Sequence, residues 1–445
     1  MHLAVDGSLV DRSFLIAVSL TAAVLGFVVL HRSAKLAVSV WIVVLCFVPI
    51  WLGIGLGFNG NYYLPPTTAA ALLVILALLP VRSFRLSLVD ALVLLLVVVG
   101  VSSLLTTSPS IALGFVFTLG TYFVVGYVLG RVAPARVDIR WIYGAVGVAF
   151  TLVAVLALIE FALQWNPFIQ LSANNSMYSI WGTLQLRSGA LRAEGAFGHS
   201  IALGSSLALA IPLTLSSRFR LWIRACMVLL MLLATIVTFS RVGMLAALLG
   251  LILSIVFMRD ALTSRLRTVL ASTLVALSVL LFPVVATVFN DAGTEASDSV
   301  AYRGDLLSLV GSMNIVGVAS SARRESTGDV YFGNFRSIDS QLILTGLSSG
   351  LVALALVLLT LAVAIVLVIR GRASAATIAI VAQIPALATV ALITQYSIFV
   401  WFIIGLAASS QLALRTDRRT RLADRAFISP AATNEFGPVT AGRRP

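Results

Sequence analysis

Charged residues are scarce in this sequence, where Asp, Glu, Lys and Arg together make up 11% of 445 residues and hydrophobic residues make up 60%. A soluble globule of this length would lack the polar surface needed to cover so much apolar material. The composition therefore excludes a soluble enzyme. It predicts a polytopic membrane protein.

Cysteine and histidine are also rare. The two cysteines, Cys46 and Cys226, fall inside apolar runs, and the three histidines are scattered along the chain. No group of cysteine, histidine and carboxylate residues has the spacing of a metal site, so we predict neither a metal nor a cofactor. The first apolar run follows Asp11 and Arg12 without a clear cleavage site, which predicts that this segment stays in the membrane.

Apolar runs of membrane-crossing length follow one another almost end to end. A crossing needs about 20 apolar residues, so these runs predict an all-α transmembrane helical bundle of about 12–13 spans. The last run holds 40 residues, and we divide it near Thr394 to Tyr396. The runs are 14–30, 36–56, 67–80, 88–105, 111–130, 141–163, 200–216, 221–239, 242–258, 268–289, 341–369 and 375–414.

The distribution of basic residues predicts the orientation, because arginine and lysine near spans are retained on the cytoplasmic side. Alternate connections and the C-terminal segment hold 22 of the 30 basic residues. The net charge of +13 thus reflects topology, and no nucleic-acid partner is predicted. One lysine against 29 arginines is typical of a GC-rich genome, and we expect a multi-pass protein of a bacterial cytoplasmic membrane. The outer side then carries Arg12, Arg187, Arg192, Arg241, Arg303, Arg323, Arg324 and Arg336.

Two predicted outer connections, 164–199 and 290–338, are much longer than the others. Long ordered connections often carry function. The first is rich in aromatic residues that suit the headgroup level. The second contains a short amphipathic pattern over 299–313, and its predicted apolar side consists of Val300, Leu306, Leu307, Val310 and Met313. We expect short helices in both loops, folded back over the membrane domain of residues 1–414. Residues 415–445 are polar and arginine-rich, which predicts a disordered cytoplasmic tail near anionic lipids.

Ionisable residues at the outer ends of spans are the candidates for function, because such groups are costly at membrane depth. Each also has a structural interpretation. Arg241 follows Ser240 in a tight turn and could snorkel to headgroups, and Arg303 could belong to a solvated helix face beside Asp305. Asp339 could cap a helix, and Gly346 and Gly350 could allow two helices to pack closely. Glu160 could pair with an outer arginine, and Asp90 could lie at the membrane interface.

Several arginines and one carboxylate on the outer side favour a functional interpretation. Nucleotide sugars are absent there, so a substrate must arrive already activated and membrane-bound. A polyprenyl diphosphate carrier meets this requirement, and guanidinium groups bind its oxygens bidentately. Arginines can then stabilise the leaving group as a metal does elsewhere.

Four short motifs occur in order along the chain. They are Arg192 to His199, Thr238 to Gly243, Tyr302 with Arg303, and Asp339 to Leu342 followed by Gly350. In order and spacing these motifs resemble the O-antigen ligase and polymerase family over roughly residues 140 to 410. The family often has a histidine and an asparagine where this chain has Asp339 and Ser340, which departs from the lipopolysaccharide ligases.

The resemblance implies a metal-independent glycosyltransferase of the GT-C-like membrane class. Such an enzyme transfers a glycan from a polyprenyl diphosphate to an acceptor hydroxyl on the extracytoplasmic side. It implies diphosphate binding by Arg192, Arg241 and Arg303. At the position where this chain departs from the family, the Asp339 carboxylate could still accept a proton, and our hypothesis is an inverting displacement with Asp339 as the base or acceptor clamp. Glu194, His199, Ser240 and Glu160 are secondary candidates, although a single histidine beside a span start, such as His199, more often makes a local hydrogen bond.

The expected partners are a lipid-linked glycan donor, a glycan or glycolipid acceptor, and membrane lipids. A transporter or flippase of lipid-linked glycans is the main competing hypothesis, although it requires polar groups at mid-membrane depth, where these spans are mostly Leu, Val, Ala and Ile. A cell-wall polymerase of the shape and division family and a membrane scaffold are two further hypotheses. Ligase and polymerase activity remain open, as do the sugar and the oligomeric state.

Overall fold

The computed structural model of the chain describes residues 26–56, 62–81, 85–106, 108–187, 189–258, 262–272, 302, 304–325 and 330–428. It is almost entirely helical, and its three two-stranded sheets are small hairpins. The helices are α1 (Ala34–Phe47), α2 (Pro66–Leu78), α3 (Leu88–Thr106), α4 (Pro109–Thr118), α5 (Val125–Arg136), α6 (Ile139–Leu163), α7 (Ser176–Trp181), α8 (Ser200–Leu215), α9 (Leu221–Val237), α10 (Arg241–Phe257), α11 (Gln341–Ser349), α12 (Leu351–Ile369), α13 (Ala375–Ala382), α14 (Ile384–Thr389) and α15 (Thr394–Ile428). The hairpins pair β1 (Ile54–Leu56) with β2 (Tyr62–Leu64), β3 (Leu186–Arg187) with β4 (Ala190–Leu191), and β5 (Ala322–Arg324) with β6 (Val330–Phe332).

The prediction of an all-α polytopic membrane protein is confirmed. Within the described residues, five helices have the length and composition to cross a membrane, and six shorter helices of 10–17 residues are also apolar. Helices α4 and α5 act as one such crossing because the π-helical segment Leu119–Val124 joins them. Most of the predicted spans 14–30 and 268–289 lies outside the described residues.

The long helix α15 defines two ends of the bundle. In its first turn, Gln395 Nε2 donates a hydrogen bond to Ala196 O of the first loop (2.8 Å). Four turns later, Ser409 Oγ accepts a hydrogen bond from Arg131 Nη1 (2.7 Å). Arg131 also pairs with Asp90 at the start of α3. The other end of α3 packs against the second loop. We call the end that carries both loops the loop end and the end that carries the Asp90–Arg131 pair the tail end.

Two predicted spans are shorter than the apolar runs that predicted them. Helix α1 ends at Phe47, and residues 48–56 form a 3₁₀ turn and strand β1, because Pro49 and Gly53 interrupt the helix. The run 341–369 breaks at Gly350, which adopts φ +96°. A Cβ atom there would lie 2.7 Å from Ile315 O. Gly350 therefore ends α11 at a sharp corner and does not pair with Gly346 on one helix face.

The final apolar run is divided where the sequence predicted. Helix α14 ends at Thr389, and α15 begins at Thr394, which has φ +47°. The predicted disordered tail starts within a helix, because α15 continues to Ile428. Residues 415–428 are thus helical rather than disordered, and residues 429–445 lie outside the described part of the chain.

Both loops contain short helical segments and fold back on the bundle, as predicted. In the second loop, residues 304–308 and the 3₁₀ turn Leu309–Ser312 pack against α4 and α11. The buried side of this segment consists of Leu306, Leu309 and Met313, whereas Leu307 and Val310 are exposed. The apolar side is therefore rotated from the one that the sequence pattern predicted.

Candidate functional site

The first loop is fixed to the bundle through Trp51. Its indole Nε1 donates to Leu171 O (2.7 Å), and its carbonyl accepts from Asn175 Nδ2 (2.8 Å). Asn175 also caps α7, and Tyr178 of that helix packs edge-on against the Trp51 ring. These contacts place the loop segment 182–199 next to the starts of α8 and α10.

Glu160 joins the last turns of α6 to this segment. Its carboxylate accepts hydrogen bonds from Asn166 Nδ2 (2.8 Å), from Glu194 N (3.0 Å) and from Gly195 N (2.9 Å), and its exposed fraction is 2%. Three donors satisfy most of the acceptor capacity of a carboxylate. Glu160 therefore positions the loop through amide donors, in place of the arginine partner that the sequence left open.

Two arginines of the β3–β4 hairpin reach the turn between α9 and α10. Arg187 Nη1 donates to Phe239 O (3.2 Å), and Arg192 Nε donates to Thr238 O (3.1 Å). Arg192 Nη1 also donates to Gln185 Oε1 (3.1 Å). The hairpin thus brings two guanidinium groups to residues 238–240, which directly precede Arg241.

The α9–α10 turn has a strained backbone that Ser240 and its neighbours stabilise. Phe239 adopts φ +47°, a left-handed conformation that costs a bulky residue roughly 1–3 kcal/mol. Ser240 is buried, and its hydroxyl accepts from Gly243 N (3.1 Å), which makes it the N-cap of α10. The first residue of α10 is Arg241. Ser240 therefore has a capping role.

We call this turn with Arg187 and Arg192, which donate to its carbonyls, and Arg241, which directly follows it, the arginine turn. Its positive charge adds to the partial charge at the start of α10, a helix of 17 residues. Backbone N–H groups at a helix start and arginines of this kind attract phosphate oxygens. The sequence placed Arg192 and Arg241 among the candidates, and the structure brings both to the same turn.

Buried ionisable groups surround the arginine turn. Burial raises the pKa of Glu194 to about 8, and the nearby Glu160 acts in the same direction, whereas Gln185 N–H and Arg192 oppose it. Burial, with Arg192, lowers the pKa of His199 to about 4. His199 Nδ1 accepts from Ile201 N (3.1 Å) and caps α8. His199 is therefore neutral near pH 7, and its observed role is the local hydrogen bond.

Asp339 lies at the start of a different helix. It is exposed, and its Oδ1 accepts from Ser337 Oγ (3.2 Å). The N-cap of α11 is Ser340, whose hydroxyl accepts from Ile343 N (3.3 Å), so the capping role considered for Asp339 belongs to the next residue. Tyr302 of the second loop is a further neighbour of Asp339, and its pKa is raised by burial and by the Asp339 charge.

Helix α14 joins the two parts of the site. It packs against α10, which begins at Arg241, and also against α11. At its end, Val390 O accepts from Gln341 N (3.0 Å), two residues after Asp339. Asp339 and the arginine turn therefore both lie at the loop end, at the starts of two helices that each pack against α14. Arg303 lies outside the described residues.

A deep groove begins beside Gln341 and runs along α3, α4, α11, α12, α13 and α15. Its cavity volume is about 160 Å³, and it is partly open to the surroundings. Its lining is mostly aliphatic, with a polar stripe at the loop end that consists of Gln341, Thr345, Ser348 and Ser349. These residues recur every three to four positions, so they lie on one side of α11.

The groove and the arginine turn were only partly visible in the sequence. Arg187 was assigned to the outer side but not to the site, because its partner, Phe239 O, is 52 positions away. The recurrence of polar residues over 341–349 was a usable signal for the stripe. In the described part of the chain, no three His, Cys, Asp or Glu side chains are grouped as they would be around a metal ion.

Comparison with known proteins adds no family assignment. No protein-family model matches the chain, and a search of curated proteins finds no match. The functional interpretation therefore depends on the site itself.

Proposed function

We propose that this protein is a membrane glycosyltransferase that acts at the extracytoplasmic face. It transfers a glycan from a polyprenyl diphosphate to an acceptor hydroxyl. The observation that carries this proposal is the arginine turn, where Arg187 and Arg192 donate to carbonyls of the turn that precedes Arg241, the first residue of α10. Arginines grouped at a helix N-terminus suit a multiply charged diphosphate better than a neutral sugar.

The groove supports a lipid-linked donor. Its aliphatic lining reaches Gln341, two residues from Asp339, so a hydrocarbon chain in the groove would end near the polar site. A diphosphate attached to that chain would emerge among the loop-end residues. The positions of the groove and the arginine turn thus suit an amphiphile with an anionic headgroup.

In the proposed reaction, the acceptor oxygen attacks the anomeric carbon from the face opposite the diphosphate. The new C–O bond forms as the bond from the anomeric carbon to the diphosphate oxygen breaks, and the electron pair leaves with the diphosphate. Asp339 takes the proton of the hydroxyl, because it is exposed and has capacity beyond its hydrogen bond from Ser337. The arginine turn stabilises the departing charge.

The same sites suggest a purified-protein experiment. Arg192→Gln, Arg241→Gln and Asp339→Asn are each assayed in lipid nanodiscs for glycan transfer from a synthetic polyprenyl-diphosphate donor. We expect each change to lower kcat by about 10²-fold or more, the usual effect of removing one preorganised charge-stabilising group. The matched control is Arg218→Gln, because Arg218 is exposed and pairs with Asp138 away from the site.

Wild-type transfer rates in all three site variants would contradict the proposal. A flippase of lipid-linked glycans is the second candidate, and the groove itself favours it because its lining extends to the tail end at Gln411. A liposome assay separates the two functions. Movement of the intact donor between leaflets without transfer would favour the flippase, whereas transfer of the glycan to an added acceptor would favour the enzyme.

A further inference from the structure

Hydrogen-bonded polar side chains line the tail end of the groove. Gln411 Nε2 donates to Thr377 Oγ1 (3.1 Å), and Thr377 is also bonded to Ser374 Oγ (2.9 Å). Gln411 and Thr377 both line the groove, and Thr377 has an exposed fraction of 2%. We call the Gln411–Thr377 pair the polar floor. A hydrocarbon chain that passed it would have to separate the half-buried Gln411 from the buried Thr377 and leave the Thr377 hydroxyl without this partner.

The groove is longer than one leaflet. Its lining follows α12 from Leu356 to Leu367 and α15 from Val400 to Gln411. Either stretch rises about 17 Å at 1.5 Å per residue. The residues of α11 extend the groove further toward the loop end. Because half of a typical hydrocarbon core is about 15 Å, a chain that fills the groove passes the middle of the membrane.

These dimensions distinguish two kinds of lipid. A phospholipid acyl chain reaches from its headgroup to about the mid-plane and leaves the part near the polar floor empty. A single long isoprenoid chain fills the groove from the α11 stripe to the polar floor. The polar residues at the two ends and the aliphatic walls between them therefore match one long chain with a polar headgroup.

We propose that the polar floor sets the maximum length of the isoprenoid chain that this protein binds. The proposal deepens the proposed function, because it assigns the donor's hydrocarbon chain to the groove and its length selection to Gln411 and Thr377. Each added isoprene unit increases affinity by burying apolar surface until the chain reaches the polar floor. Longer chains then gain nothing.

The test measures binding, so it does not require turnover. Purified protein in nanodiscs is titrated with polyprenyl monophosphates of increasing chain length, and phosphatidylglycerol serves as the phospholipid competitor. We expect affinity to rise several-fold per unit and then to level off at one length. In Gln411→Ala and Thr377→Ala, we expect that plateau to move to longer chains. Thr360→Ala, in the middle of the groove wall, is the matched control.

An unchanged plateau in folded Gln411→Ala and Thr377→Ala would overturn the proposal, as would equal competition by phosphatidylglycerol. If one variant does not fold, the other tests the polar floor, and Thr377→Ser, which keeps the hydroxyl that accepts from Gln411, should keep the wild-type plateau. The failure of the proposed function gives a different pattern. Binding that depends on chain length, without glycan transfer, would support length selection by the polar floor and contradict the proposed glycosyltransferase activity.

Discussion

At the residue scale, the roles of the arginines depend on where their partners lie. Arg192 and Arg187 donate to carbonyls of the α9–α10 turn, and Ser240 fixes the start of α10. Glu160, a candidate chosen for its charge, holds three amide donors and shapes the loop. The neighbouring Glu194 differs, because burial raises the pKa of its carboxyl to about 8.

Glu194 should make the stability of the protein depend on pH. Its pKa is raised from 4.5 to about 8 in the folded state, so the folded protein holds a proton that the unfolded chain releases between these values. Stability is therefore full below about pH 4.5 and falls as pH rises toward 8. Glu194→Gln should flatten this dependence, as measured by thermal unfolding in detergent from pH 5 to 8.

The matched control for this prediction is Glu325→Gln, because Glu325 is an exposed residue of the second loop. It removes the same charge without the burial and should keep the wild-type slope. A slope that survives Glu194→Gln would show that another group titrates in this range.

At the element scale, hydrophobicity identified helices in the part of the chain that the structure describes, but the corners between them depended on single residues. The run 341–369 is apolar throughout, yet Gly350 turns it from α11 into α12. That corner directs α11 toward Val390 and places its polar stripe along the groove. The pattern of the sequence was equally compatible with one continuous helix, because glycine is tolerated within membrane helices.

Gly350→Ala should destabilise this corner. Alanine would have to adopt φ +96°, and its Cβ would lie 2.7 Å from Ile315 O and 2.8 Å from Val316 Cα. We expect a loss of roughly 1–3 kcal/mol or more from backbone strain alone, visible as a lower thermal midpoint. Gly114→Ala is the control, because a Cβ atom at this helical glycine meets nothing within 4 Å. Equal midpoints for the two variants would contradict the strained corner.

At the scale of the whole molecule, a buried ion pair connects the helices at the tail end. Asp90 of α3 accepts from Arg131 Nε (2.7 Å) and Nη2 (3.0 Å), and also from Tyr127 (2.6 Å). Arg131 donates in addition to Ser409 of α15. Asp90 therefore has a structural role in the first turn of α3, and its predicted interfacial position stays a prediction. The pair holds α3, α5 and α15 together at the tail end of the groove.

Asp90→Asn should lower the thermal stability of the protein strongly. The change leaves the buried Arg131 without its counter-charge, and breaking a buried pair costs about 3–5 kcal/mol. Asp138→Asn breaks the exposed pair with Arg218 and should cost less than about 1 kcal/mol. Thermal unfolding of both variants in the same detergent checks the difference, and similar midpoints would contradict a structural role for the buried pair.

The sequence by itself determined the membrane class, the helical architecture and the approximate position of most spans. The membrane class and the spans follow from the apolar composition of local segments. The helical architecture follows because a chain in lipid must satisfy its own backbone hydrogen bonds. The sequence also placed Arg192 and Arg241 among the candidates. Only the tertiary structure decided that Arg187 meets the same turn, that Glu160 binds amides, that Gly350 is a corner, and that a groove with a polar floor exists. These features depend on contacts between residues far apart in the chain, and such contacts cannot be predicted from local hydrophobicity.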